Sequence, residues 1–254
     1  MDLAKTPSFR LDGRRALITG AGRGIGLAAA TALAEAGAAV TLISRTGSEI
    51  EAAADAIVAT GGVADTLVLD ITDTEATEAA IAASGPFDIL INNAGTNRPK
   101  TMAETSTDDY DAIMDLNVRA AYFVSRAVTN GLIAAGKPGS VIHVSSQMGH
   151  VGGPKRTVYC TSKFAIEGLT KAMALEFAPN NIRVNSIGPT FIETPLARVS
   201  LQDPEMNAYI MSKIKLGRIG HVEDLMGAIV FLSSDAAAMI TGAALLIDGG
   251  WTIG

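Results

Sequence analysis

Short apolar runs alternate with longer amphipathic ones along nearly the whole chain, and this alternation limits the fold more than any single motif does. Strand-like runs cover residues 16–19, 39–44, 63–69, 88–91, 140–145, 182–187 and 244–247. Helical periodicity fills the intervals at 25–36, 48–60, 74–83, 107–134, 158–177 and 222–233. Strand–helix–strand repetition implies a parallel sheet covered on both faces. Right-handed crossovers then wind it both ways. The expected class is α/β, a doubly wound parallel sheet of about seven strands with helices on both faces. No composition break marks a second domain, so residues 1–254 are read as one.

One segment breaks the rhythm. Residues 190–220 separate the sixth strand from the next helix, carry Pro195, Pro204, Gly217 and Gly220, and show weak periodicity. A connection this long is usually functional. It leaves the carboxyl end of a strand, where open α/β sheets bind ligand, and is expected to be a substrate lid.

Composition removes several function classes. Hydrophobic residues make up 48% and charged residues 18%, which suits a buried core. The net charge of −6, with no basic stripe, argues against nucleic-acid binding. The apolar stretch 16–40 is broken by Arg23 and Glu35, so no membrane span is expected, and the first residues lack a signal-peptide order. Cys160 is the single cysteine, which fits a reducing, cytoplasmic setting. No His, Cys or carboxylate cluster has metal-ligand spacing, and no metal is expected.

The first strand runs into Thr19-Gly20-Ala21-Gly22-Arg23-Gly24-Ile25-Gly26 and then a helix. Glycines there permit a tight turn and a close backbone approach to a pyrophosphate, and the helix N-terminus offers free N–H groups. The strict G-x-G-x-x-G pattern fails, since Ile25 and Leu27 stand where it would need glycine. The second strand ends Ile43-Ser44-Arg45-Thr46, with no acid before Glu49. An NAD site needs an acid about 20 residues past the glycines to accept from the ribose hydroxyls. Arg45 can instead pair with a 2′-phosphate, and Arg23 can add a second charge. NADP(H) is favoured, with NAD(H) left open.

Tyr159 and Lys163 stand at i and i+4, on one face of a helix. A tyrosine has a pKa of about 10, and a nearby ammonium is expected to pull it down toward usefulness as an acid–base. The preceding strand ends in Ser145-Ser146, and the loop after it carries Met148, Gly149 and His150. The fourth strand exits through Asn92-Asn93-Ala94-Gly95, and Asn117 interrupts a helical stretch that asparagine does not favour.

Taken together, these pieces resemble the short-chain dehydrogenase/reductase family over about residues 11–254. The matching pieces are Thr19-Gly20, Gly24 and Gly26, Asp70 after the third strand, Asn92-Asn93-Ala94-Gly95, Asn117, Ser146 with Tyr159 and Lys163, Ile187-Gly188-Pro189, and the ending Asp248-Gly249-Gly250. Within the family, the chain is similar to gluconate 5-dehydrogenase-like and 3-oxoacyl-carrier-protein reductase-like members. The resemblance implies a Rossmann fold, ketone–alcohol chemistry with a nicotinamide cofactor, and a homotetramer. It implies that Ser146, rather than Ser145, bonds the substrate oxygen. It implies that Tyr159 moves the proton, that Lys163 binds the nicotinamide ribose and lowers the tyrosine pKa, and that Asn117 holds a water. Asp70 and Ile71 would meet the adenine, Asn92, Ala94 and Gly95 the nicotinamide ribose, and Pro189, Thr190, Ile192 and Thr194 the nicotinamide end. One departure is Thr190, where glycine is common; a threonine tolerates positive φ poorly, so the lid is expected to start along a different path.

The expected substrate is small and polar or anionic, a sugar acid, polyol or hydroxy acid, and bases on two loops favour the anionic kind. Arg98 and Lys100 follow the fourth strand, and Lys155 and Arg156 precede Tyr159. Arg156 can hold a carboxylate through two parallel bonds. Ser146, Met148, His150, Arg156 and Arg98 are the candidate substrate contacts. Two other readings stay open: reduction of a 3-oxoacyl group on a carrier protein, and a catalytically silent NADP-binding sensor or scaffold.

Overall fold

Strand β1 (Arg15–Thr19) lies between β2 (Ala39–Ser44) and β4 (Ile89–Asn92), pairing Leu17 with Thr41 on one side and Leu90 on the other. The computed structural model extends this sheet to seven parallel strands in the order β3-β2-β1-β4-β5-β6-β7. The outer strands are β3 (Val63–Val68), β5 (Gly139–Val144), β6 (Ile182–Pro189) and β7 (Ala244–Ile247). The structure describes all 254 residues, apart from the side chains of Leu196, Val199 and Ser200.

Successive strand residues face opposite sides of the sheet, so each side acquires its own core. Ala16, Ile18, Leu42, Ile91, Ile142 and Ile187 pack with Leu33, Leu225 and Ile229 on one face. Leu17, Ile43, Leu90, Val141 and Val184 pack with Ile81, Val124, Val128 and Met173 on the other. The helices that supply these residues are α1 (Gly24–Glu35) and α9 (Glu223–Ser233) on the first face, and α3 (Thr74–Ser84), α5 (Ala121–Ala134) and α6 (Thr157–Phe177) on the second. Helix α2 (Gly47–Ala59) closes the β2–β3 crossover. Strand order reverses between β1 and β4, which opens a crevice at their carboxyl ends.

Two expectations are corrected. The run 107–134 is not one regular helix: α4 (Thr107–Met114) and α5 are joined by a π turn over Asp115–Ala120. The segment 190–220 is not a structureless connection. It holds α7 (Pro195–Leu201) and α8 (Pro204–Lys213), each beginning with proline behind a capping side chain, Thr194 and Asp203. Thr190 does not adopt the strained conformation, since Lys155 and Asn181 are the only non-glycine residues with positive φ among those described. Its N–H reaches Ile247 O at 3.3 Å, and Ile192 bridges Gly220. The segment therefore starts anchored to β7 and to its own far end.

Candidate active site

The glycine turn is shaped by close approach. Gly20 and Gly24 take positive φ, and a Cβ on Gly26 would lie 2.2 Å from Gly20 O, so α1 could not start where it does with a larger residue. Asn93 braces the turn, donating from Nδ2 to Thr19 O (2.9 Å) and Gly20 O (3.1 Å). Thr19 Oγ1 in turn accepts from the N–H of Asn93 and of Ala94, both at 3.0 Å. Thr194 stands across the turn, its Cγ2 3.4 Å from where a Gly24 Cβ would be. These features fit a pyrophosphate cradle. Thr190 Oγ1 is buried with no partner among the described residues, a polar atom suited to a ligand just past β6.

At the end of β2, Ser44 Oγ accepts from Thr46 N, and Arg45 Nη1 lies 3.8 Å from Asp70 Oδ2. Burial works to raise the Asp70 carboxyl, but hydrogen bonds from Thr72 outweigh it and hold the group below its ordinary value. Ile71 behind it is buried in the core, and Ile25 packs against the opposite core. Arg23 Nη1 lies 3.6 Å from Glu49 Oε1.

The catalytic candidates converge at the end of β5. Ser146 donates to Gln147 Oε1 at 2.7 Å and accepts from Met148 N at 3.1 Å. Lys163 is buried and donates from Nζ to Val144 O at 2.9 Å, with its ammonium 5.6 Å from the Tyr159 ring centre. Burial lowers the lysine to about 8, against the opposing charge of Glu167. Tyr159 runs contrary to expectation. Burial pushes its hydroxyl above the ordinary value, and the groups that oppose this are Ser146, by hydrogen bonding, and the Arg156 guanidinium; Lys163 is not among them. The lysine's ammonium is turned to a backbone carbonyl, and the buried Arg156, one helical turn before the tyrosine, supplies the stabilising charge.

Asn117 is buried inside the π turn, and its side chain is fully engaged. Oδ1 accepts from Thr96 N (2.8 Å), while Nδ2 donates to Thr96 O and Ser162 Oγ (both 3.0 Å). It ties the β4 exit to α6, and Gly95 leaves it room. Asn92 Nδ2 donates to Ala121 O (2.9 Å) and Ser125 Oγ (2.8 Å) on α5.

The loop bases separate. Arg98 and Lys100 both pair with Asp109, which they and Ser106 hold well below the usual carboxylate range. They join the β4 loop to α4 and are not the charges nearest Tyr159. Met148 is buried, and its thioether and the Arg156 stem both close on Gly153. His150 Nε2 is 3.4 Å from Glu167 Oε1, a carboxylate that also accepts from Ser186 Oγ. The sequence reading gave Asn93 no role of its own and missed Glu167, which continues the Tyr159–Lys163 face at i+4. His143 is fully buried in the sheet. Among the described residues no group of His, Cys, Asp and Glu could hold a metal ion, and no helix is long and apolar enough to cross a membrane.

Known proteins place this arrangement. A family model described as enoyl-(acyl carrier protein) reductase matches residues 20–252. The chain is 40% identical to D-erythrulose reductase from Gallus gallus, over 97% of this chain and 99% of the relative. It is 41% identical to L-xylulose reductase from Bos taurus, over 96% and 98%. A solved gluconate 5-dehydrogenase from Burkholderia cenocepacia, in complex with NADP and tartrate, superposes with a TM-score of 0.93 at 38% identity, covering 97% of this chain and 98% of that one. With the glycine turn, the Ser146–Tyr159–Lys163 cluster and this likeness over nearly its full length, the chain is a member of the short-chain dehydrogenase/reductase family.

Proposed function

We propose that this protein interconverts a ketone and a secondary alcohol on a small polar substrate, with NADP(H) as cofactor. The observation that carries the reading is the gathering of Ser146, Tyr159 and Lys163 on the same sheet edge as the glycine turn and Arg45. Nicotinamide supplies or receives the hydride. The Tyr159 hydroxyl gives its proton to the carbonyl oxygen in reduction and takes it back in oxidation. Ser146 turns from Gln147 to donate to the same oxygen. Lys163, which donates to Val144 O, is the residue that would hold the nicotinamide ribose and set its charge toward the phenol. Asn117 positions α6 through Ser162; a π turn also frees backbone carbonyls, and its own is the group that would hold a water.

Arg156 supports an anionic substrate, since its charge already lies beside Tyr159. The sugar and sugar-acid names of the relatives point the same way. The segment 190–220 serves as the lid over this site. We also propose a homotetramer, supported by Tyr122 on α5, Phe164 and Leu175 on α6, and Met239, Leu245 and Ile253 near the chain end, all exposed apolar side chains. A cytoplasmic location rests on the single cysteine.

The test is turnover with NADPH and NADH over ketoses, sugar acids, polyols and a 3-oxoacyl thioester, for the natural chain and for Tyr159→Phe. Turnover of a sugar or hydroxy acid that Tyr159→Phe abolishes, while NADPH still binds, is expected. Activity confined to the thioester would replace the substrate reading. Tight NADPH binding with no turnover on any class would revive the silent sensor.

A further inference from the structure

Glu49, in the first turn of α2, reaches back over the glycine turn. A Cβ on Gly22 would lie 2.9 Å from both Cβ and Oε2 of Glu49, so this side chain fills the space that Gly22 leaves. Its carboxylate faces Arg23 at 3.6 Å, beyond hydrogen-bond distance. Arg45 is faced in the same way by Asp70, at 3.8 Å. The two acids differ in their attachments. Asp70 is fixed by two hydrogen bonds from Thr72. The Glu49 carboxylate accepts no hydrogen bond among the described residues, so nothing but the arginine and the α2 dipole holds its charge.

On the NADP(H) reading, the added phosphate on the adenosine ribose is met by Arg45 with Arg23 as a second charge, and it brings a charge of about −1.5 to −2 at neutral pH. We propose that Glu49 is a built-in rival anion at this site, one that holds Arg23 in the free protein and repels the 2′-phosphate, thereby weakening NADP(H) while sparing NAD(H). The inference rests on the NADP(H) reading above and gives it a counterweight. A site with two unopposed arginines would hold the spent cofactor tightly, and slow product release limits many enzymes. Glu49 lowers that grip without touching the reacting end.

Glu49→Gln removes the charge and keeps the shape. Dissociation constants for NADPH and NADH, measured by fluorescence titration in low salt and again near 1 M salt, decide the matter. In low salt NADPH binds about three- to tenfold more tightly to the variant, as expected for removing one charge a few ångströms from a phosphate in a largely aqueous setting. NADH is little changed, which also certifies an intact fold, and the NADPH gain fades in high salt. Stopped-flow release of NADP is slower by a similar factor. An unchanged or weakened NADPH constant, or an equal shift for both nucleotides, overturns the role of Glu49. A natural chain that binds NADH better than NADPH overturns the cofactor reading, and this inference with it.

Discussion

Trp251 stacks on Phe191 with ring centres 5.8 Å apart and meets Tyr209 edge-on at 5.9 Å. Phe191 lies at the start of the segment 190–220 proposed as the lid and Tyr209 lies on α8, so the chain's single tryptophan pins both parts of that segment to the C-terminal end. Trp251→Ala should raise KM about tenfold and change kcat less, with Trp251→Phe restoring most of the loss; a buried tryptophan truncated to alanine typically costs about 3–5 kcal/mol. Steady-state kinetics on the best substrate checks this. Equal values for the natural chain and the alanine variant would detach Trp251 from lid placement.

Arg156 is expected to read a substrate carboxylate. Arg156→Ala should lower kcat/KM on an acidic substrate by about tenfold to a hundredfold more than on its uncharged amide or alcohol, the range for losing a charge-assisted contact. The guanidinium also lowers the Tyr159 hydroxyl, so a smaller loss common to both substrates is expected, with an alkaline shift of the pH–rate profile. Loss without selectivity would leave Arg156 to the tyrosine alone and favour neutral polyols.

Arg45→Asp should weaken NADPH by about a hundredfold or more and NADH far less, because the change replaces a phosphate-pairing cation by a repelling anion. Titration with both nucleotides is the check. Parallel losses would show that Arg45 does not read the 2′-phosphate.

His143 makes a prediction for stability. Both ring nitrogens are buried without partners among the described residues, and burial, aided by the Lys163 charge, lowers the ring from 6.5 to about 4. The unfolded chain takes up a proton near pH 6.5, whereas the folded chain resists until about pH 4. The unfolded state therefore binds more protons in that window, and stability falls as pH drops through it, by up to about 3 kcal/mol. His143→Leu should flatten this fall and leave the protein no less stable at pH 7, since it removes unsatisfied polar atoms. Denaturant unfolding at several pH values between 4 and 7 measures both effects; an undiminished acid fall would assign it to other groups.

Much of this was legible because sheet burial is written as uninterrupted apolar runs. All seven strands stand within a residue or two of where those runs lie, and β2 and β7 coincide with them. Boundaries slipped where side chains outvote periodicity: Thr194-Pro195 and Asp203-Pro204 start two helices whose weak amphipathicity hid them, although cap followed by proline is itself a start signal. The residue types of the site were legible, but their pairings were not. Sequence spacing put Lys163 beside Tyr159, yet only the folded geometry turns that ammonium to Val144 O and sets Asp109 against Arg98. Such choices depend on residues far apart along the chain.

The π turn at Asp115–Ala120 carries a consequence for the helix that contains it. Each residue of an α-helix advances about 100° around the axis, so a turn that holds one residue more sets the two flanking segments out of phase by roughly that angle. Helices α4 and α5 thus look in different directions although the chain never leaves the helical path. Deleting one residue within 115–120 would mend the hydrogen-bond ladder and spoil the protein, because either Asp109 would swing away from the β4 loop or Val124 and Val128 would swing out of the core. The irregularity works as a phase shifter: a length change of one residue is converted into a rotation, and two faces that a straight helix would align can answer to different neighbours.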